Sequence, residues 1–378
     1  MRTKVSIRKC PDYDGAGVYA AVKKTLEDIG GMHGLVKKGE KILIKPNLLA
    51  GRRPEEAVTT HPSVVKAVIE LVKESGAEPC VGDSPGIGNS RKIAEKCGIL
   101  KVCDETNTPY LELKDAKAVE NPSGHTFKRL EVAAEALKVD GIINLPKLKT
   151  HAQMYLTLGV KNMFGCVPGK RKPQWHLAAG TDTLYFAGML LDLYLLLKPR
   201  LTILDGIVGM EGNGPANGAP RRLGLLLAST DAIALDAISA DILGATTEAL
   251  PLQKAAGMRG IREASVANIA VVGLELKKLR VRDFKFPPSM HVNFAAYLPY
   301  SLDKALRKAL TSRPHIDKKI CTLCSVCVEV CPPDVMKKTD RIHIDYDKCI
   351  RCYCCQEGCP HGAISPRQGW LKALIPGI

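Results

Sequence analysis

Aromatic residues are scarce in this chain. They make up 5% of its 378 residues, and only two are tryptophan. Proteins that hold single-stranded nucleic acid use such rings as stacking platforms, and no recognition motif stands in for them here, so nucleic acid ranks last among partners. Long apolar runs are also missing. The longest, residues 184–197, is shorter than the roughly 18 residues that a membrane helix needs and is interrupted by Asp192, so it reads as a buried helix. Residues 1–7 contain no apolar stretch of signal-peptide length before charge returns. No transmembrane segment is expected, and the cytoplasm is the expected compartment. Complete nucleotide motifs are absent as well. Gly86 and Gly88 begin a dinucleotide pattern, but Arg91 stands where its third glycine belongs. The stretch from Gly165 to Lys170 is one residue short of a P-loop, with Arg171 in place of the magnesium-binding hydroxyl residue. No nucleotide cofactor is expected.

Cysteine, by contrast, is abundant, with fourteen residues. A reducing compartment disfavours disulfides, which leaves metal or cluster binding as the better reading. Eight of the fourteen form two runs. The first is Cys321, Cys324, Cys327 and Cys331 followed by Pro332, and the second is Cys349, Cys352, Cys355 and Cys359 followed by Pro360. Both have x2-x2-x3 spacing. Three thiolates from one tight loop reach three corners of an iron–sulfur cubane, and in paired modules the last cysteine of each run serves the other cluster. The expected sets are therefore Cys321, Cys324, Cys327 and Cys359 for one 4Fe–4S cluster, and Cys349, Cys352, Cys355 and Cys331 for the other. Structural zinc would use two separated cysteine pairs, which this spacing does not match. Cys354 is surplus and reads as a free or packing thiol. The module resembles bacterial-type two-cluster ferredoxins over residues 316–366.

The remaining sequence alternates short apolar strands, at 5–7, 41–44, 79–81, 141–144, 201–204, 223–227 and 268–272, with amphipathic helices. The clearest helix follows His61, with Pro62 at its first position and Gly76 at its stop. His61 and Asp231 read as helix caps. Residues 101–131 look like short strands joined by turns. The expected architecture is an α/β large domain over residues 1–285 with a mainly parallel or mixed sheet. A linker with a short basic helix follows at 286–314, then a small α+β ferredoxin-like two-cluster domain at 315–367 and a tail at 368–378.

The formal charge of +15 favours anionic partners, and about +11 remains once two clusters are counted. The basic residues are concentrated. Between 144 and 176 stand six Lys or Arg, two His and no acid, interleaved with apolar residues and glycines as in an anion pocket. Asn144 begins this segment just after a strand, where open α/β sheets bind their ligands. Lys45 and Asn47, Asp83, and Asp205 with Glu211 follow other strands in the same way. Together, Lys45-Pro46-Asn47-Leu48, Gly82-Asp83-Ser84-Pro85-Gly86, the run from Asn144 to His151, Gly159-Val160-Lys161-Asn162 and the run from Asp205 to Gly212 resemble the domain of unknown function 362. That resemblance covers most of residues 1–285. It implies that fusion to a ferredoxin module is a natural architecture and that the charged motif positions form the site.

Two readings follow. In the first, the protein is a reductase. Lys147, Lys149 and Lys161 would hold a small anionic acceptor, and His151 or His176 would supply protons. Lys45, Asn47, Asp83, Asn144, Asn162, Asp205 and Glu211 would complete the binding site, and a low-potential protein would donate or accept electrons. In the second, the protein is a non-catalytic electron carrier whose large domain docks an acidic redox partner.

Overall fold

A computed structural model describes residues 2–288 and 311–368. The basic helix expected at 301–310 and the tail beyond 368 lie outside the described residues. The large domain is built on a ten-stranded mixed sheet. Its strands are β1 (Thr3–Lys9), β2 (Lys41–Pro46), β3 (Glu78–Asp83) and β4 (Tyr110–Glu112), then, past a separate hairpin of β5 (Ala116–Glu120) and β6 (Arg129–Ala133), β7 (Gly141–Leu145), β8 (Lys147–His151) and β9 (Tyr155–Thr157), and finally β10 (Leu201–Glu211), β11 (Ala219–Ser229) and β12 (Ile269–Gly273). The order is β12-β1-β11-β10-β7-β2-β3-β4, with β8 and β9 attached along β10. From β10 to β4 every neighbour is parallel, so the carboxyl ends of β10, β7, β2 and β3 lie side by side. β11 alone runs antiparallel between β1 and β10.

Helices cover both faces, because strands of a parallel sheet are apolar on both sides and need covering twice. One face carries α1 (Gly15–Glu27), α2 (Pro62–Glu74), α3 (Ser90–Lys96) and α4 (Ile99–Glu105), whose apolar residues join one core with Ile42, Ile44 and Ile143. The other carries α5 (Gly159–Asn162), α6 (Lys172–Ala179), α7 (Thr183–Leu197), α8 (Ala232–Leu243) and α9 (Pro251–Met258). In α2, Val64, Val65, Val68, Leu71 and Val72 are buried. His61 accepts the Ser63 N–H at its start, and Asp231 accepts the Ala234 N–H at the start of α8. The α4 helix corrects the sequence reading of residues 101–131 as strands and turns up to Glu105, beyond which β4, β5 and β6 follow as read. It is only two turns long, too short for its buried face of Ile99, Val102 and Cys103 to register as a period.

The apolar segment 184–197 lies within α7, and its single acid has a structural task. Asp192 is fully buried. Its carboxylate accepts the N–H groups of His125, Thr126 and Phe127 at 2.9, 3.0 and 2.9 Å and pairs with Arg259 at 2.8 Å. Burial works against the charge, but these donors and the guanidinium outweigh it and hold the carboxyl below its usual range. The β5–β6 turn is thereby pinned to α7.

The small domain contains the antiparallel pair β13 (Arg313–Ile316) and β16 (Ile364–Arg367), the hairpin β14 (Met336–Lys338) and β15 (Ile342–Ile344), and two short helices, α10 (Val326–Glu329) and α11 (Cys354–Gly358), one after each cysteine triplet begins. Among the described residues no helix is long and apolar enough to cross a membrane.

Replacing Asp192 with Ala should leave Arg259 and three N–H groups without their acceptor and destabilise the protein by roughly 3 kcal/mol. Denaturant unfolding followed by far-ultraviolet circular dichroism measures this. A loss below about 1 kcal/mol would contradict the role assigned to Asp192.

Candidate functional site

Side chains alternate across a strand, so Lys147, Lys149 and His151 of β8 point to one side, while Leu148 goes to the core beneath β10. All three project into the space at the carboxyl ends of β2, β3, β7 and β10, where two buried ion pairs sit. Lys45 Nζ lies 2.8 Å from Asp83 Oδ1, and Lys147 Nζ lies 2.8 Å from Asp205 Oδ2. Each pair is fully bonded. Asp83 also accepts the N–H groups of Leu48 and Ser84. Asp205 accepts the Tyr13 hydroxyl and the His61 N–H, and Tyr13 in turn accepts Lys147 at 2.7 Å. The backbone approaches closely here. A Cβ added to Gly165 would lie 1.9 Å from Asp83 Oδ1 and 2.5 Å from Lys45 Nζ, so only glycine fits over this pair.

The asparagines form a relay of amides beside the pairs. Lys149 donates to Asn47 and to the Val58 carbonyl, Asn47 to Asn162, Asn162 to Asn144, and Asn144 to the Gly159 carbonyl. Burial, reinforced by nearby Lys161, brings Lys149 down to about 7. Lys172 donates to the Ser84 carbonyl, and burial brings it down to about 8. Glu211, expected in the same site, is not bonded into it. Its carboxylate accepts the Lys285 N–H instead.

The most consequential member of the site comes from the small domain. Glu357 of α11 places Oε1 2.7 Å from His151 Nε2, a contact too oblique for a hydrogen bond. His151 Nδ1 accepts the N–H groups of Gln153 and Met154, which leaves the ring proton on Nε2, the nitrogen beside the carboxylate. Burial, with Lys161 beside it, lowers His151 to about 4, so the ring is neutral at neutral pH. Burial alone would raise Glu357, but His151, Lys161 and His176 together hold it well below the carboxylate range. Lys161 lies beside Glu357, and its interaction with that carboxylate opposes the burial that lowers the lysine from its usual range. That lysine is half-buried, and its side chain has no hydrogen bond or ion pair among the described residues. His176 stacks on Phe186 at 4.3 Å, burial lowers it to about 3, and its Nδ1 has no partner.

Glu357 is held in place by a wider seam. Gln356 donates to Asn213 Oδ1 and to the Gly214 carbonyl, Asn213 to the Ile364 carbonyl at 3.2 Å, and Arg52 to the Pro360 carbonyl at 2.7 Å. The loop after β10 therefore grips the helix that follows the second cysteine triplet.

The motif cysteines line two separate cavities. One is bounded by Cys321, Cys324, Cys327 and Cys359, the other by Cys331, Cys349, Cys352 and Cys355. Among the described residues no His, Cys, Asp or Glu groups converge on a point as around a single ion. Four thiols facing one apolar cavity suit a cubane, whose irons each take one sulfur.

A family model described as domain of unknown function (DUF362) matches residues 42–241, more than half of the chain. The chain belongs to that family. A second model, a 4Fe-4S dicluster domain, matches residues 313–360, so the DUF362 domain is fused to an electron-transfer module with two iron–sulfur clusters. The chain is 40% identical to the thylakoid-associated protein sll1697 of Synechocystis over 287 residues, which is 76% of this chain and 88% of that protein. The lactate racemase apoprotein of Thermoanaerobacterium thermosaccharolyticum is similar with a TM-score of 0.41 and 13% identity, covering 61% of this chain and 55% of that structure.

In this DUF362 protein, sequence reasoning did not find Glu357, Tyr13 or Lys172. Glu357 had one visible signal: it is the only acid between Cys349 and Cys359. Cys354, set aside as surplus, begins α11 and lines neither cysteine cavity. Cys166 is buried, and burial raises its thiol to about 12, which favours the neutral thiol over the thiolate.

Gly165→Ala should force Asp83 and Lys45 apart and destabilise the protein by roughly 3 kcal/mol, the cost of breaking a buried ion pair. The thermal midpoint of the variant beside wild type tests this, and an unchanged midpoint would show that the pair tolerates a side chain above it.

Proposed function

We propose that this protein is an iron–sulfur oxidoreductase whose large domain offers a small anionic electron acceptor a seat at Lys149, His151, Lys161 and His176. Cys321, Cys324, Cys327 and Cys359 would hold one cluster, and Cys331, Cys349, Cys352 and Cys355 the other. When bound, the clusters supply one-electron transfer at low potential. One observation carries the reading: a carboxylate already occupies this centre, and it belongs to Glu357, two residues from Cys355. A centre that stabilises this carboxylate has the charge and donors for an external one. Lys161 has an ammonium position that no other group of the described residues bonds, and an anion beside it favours its charged form against the burial that lowers it. Neutral His151 presents Nε2–H as a hydrogen-bond donor to a bound anion, and the unpartnered His176 Nδ1 offers a further polar contact. Lys45, Lys147, Asp83 and Asp205 hold this surface in shape and are too fully paired to bind substrate themselves. Asn47, Asn144 and Asn162 orient Lys149.

A second reading, an electron carrier without its own substrate, draws on the same observation, since Glu357 fills the centre with the chain's own carboxylate. The two part at Lys161. Protein prepared without oxygen, reduced with dithionite and freed of excess reductant would be mixed with the small-molecule fraction of source cells while the cluster absorbance is followed. As a reductase, the wild type is reoxidised by an active fraction, and Lys161→Ala slows this by roughly tenfold to a hundredfold, the worth of one charged hydrogen bond. Equal rates for the two proteins with every fraction would reject the acceptor site and leave the carrier.

A further inference from the structure

Fourteen cysteines are present and one of them is exposed: Cys324, on the wall of the first cavity. The second cavity draws on the buried Cys352, just before α11, and Cys355, within it, where the large domain covers that helix. The surface around Cys324 is therefore where another protein comes nearest to a cluster-binding cavity. Its composition is distinctive. Ile320, one residue before the triplet, is 46% exposed, an uncommon state for a large aliphatic side chain. Lys318 and Lys319 precede it and are exposed. Across the cavity wall, the tip of the β14–β15 hairpin presents exposed Lys337, Lys338 and Arg341. Lys338 Nζ donates to the Leu323 carbonyl at 2.6 Å, which sets a positive charge on the residue next to Cys324. The two acids nearby are locally engaged. Asp317 accepts the Lys319 N–H, and Asp340 accepts the Thr339 hydroxyl and lies 3.7 Å from His343.

We infer that this face, an apolar spot ringed by Lys318, Lys319, Lys337, Lys338 and Arg341, docks an acidic one-electron carrier protein. Opposite charge steers such a partner to the one exposed cysteine edge, and the small apolar centre gives a weak, transient contact of the kind electron carriers make. The surface lies on the small domain, on the cavity that Glu357 does not line, although Cys359 and Ile364 of that cavity also meet Asn217 and Asn213 of the large domain.

The test uses the full chain with its clusters and, as probe, a small acidic ferredoxin. A carbodiimide joins carboxylates of the probe to lysines of this protein at low salt, and mass spectrometry maps the junctions. Junctions should fall on Lys318, Lys319, Lys337 or Lys338 and vanish at high salt. Reversing charge at Lys318, Lys319 and Arg341 together should weaken the Kd for the probe about tenfold or more, with the cluster spectrum unchanged. Reversing three exposed lysines elsewhere, Lys23, Lys24 and Lys277, should change it less than about twofold, since attraction falls off within a Debye length. Junctions mainly on the large domain would overturn the proposal. So would equal losses from the two triple reversals, which would make net charge the cause, or binding that salt does not weaken.

Discussion

An ammonium buried without a partner costs several kcal/mol, and of the lysines buried among the described residues three stand on strands at one end of one sheet. Lys45, Lys147 and Lys149 are each almost inaccessible to solvent. Much of the surrounding structure follows from that constraint. Asp83 and Asp205 must stand at neighbouring strand ends to meet the first two. Asn47 and the Val58 carbonyl must turn inward for the third. Gly165 must lack a side chain so that the backbone can close over Lys45 and Asp83. Parallel neighbours make this feasible, because only they bring so many strand ends to one edge.

The same constraint explains why the cluster domain is attached where it is. Lys161 stands at the rim of this centre, and the carboxylate that favours its charged form comes from α11. A helix placed by a cysteine triplet thus doubles as the lid over the DUF362 motif, and the loop from Gly212 to Gly218 holds it there. The fusion is therefore more than two domains on one chain. The family's motif residues and a residue of the cluster run complete one electrostatic unit.

Much of this was legible beforehand. The strands announced themselves by apolar runs, α2 by its spacing and by Pro62, and the cysteine runs by spacing that few other chemistries share. That residues 147–151 form a strand of their own, with Lys147, Lys149 and His151 on one face, was not expected, because their charge hides the apolar alternation. The pairing was not legible. Nothing local marks Asp205 as the partner of Lys147, 58 residues earlier, or Glu357 as the occupant of a pocket that sequence reasoning left for an outside anion. Both depend on which strands become neighbours, a property of the whole fold. The α4 helix was missed for a different reason, since two turns carry too few residues to display a period.

The central claim is that Glu357 seats the cluster helix in the motif centre, and hydrogen–deuterium exchange tests it most directly. Wild type and Glu357→Ala, both with clusters intact by absorbance, would be compared peptide by peptide. The account predicts faster exchange in the variant at residues 147–163, including the Gln153 and Met154 N–H groups held by His151, and at residues 212–218, with the distant α2 unchanged. Unaltered exchange in both segments would mean that the helix is held without Glu357, and the account would fail.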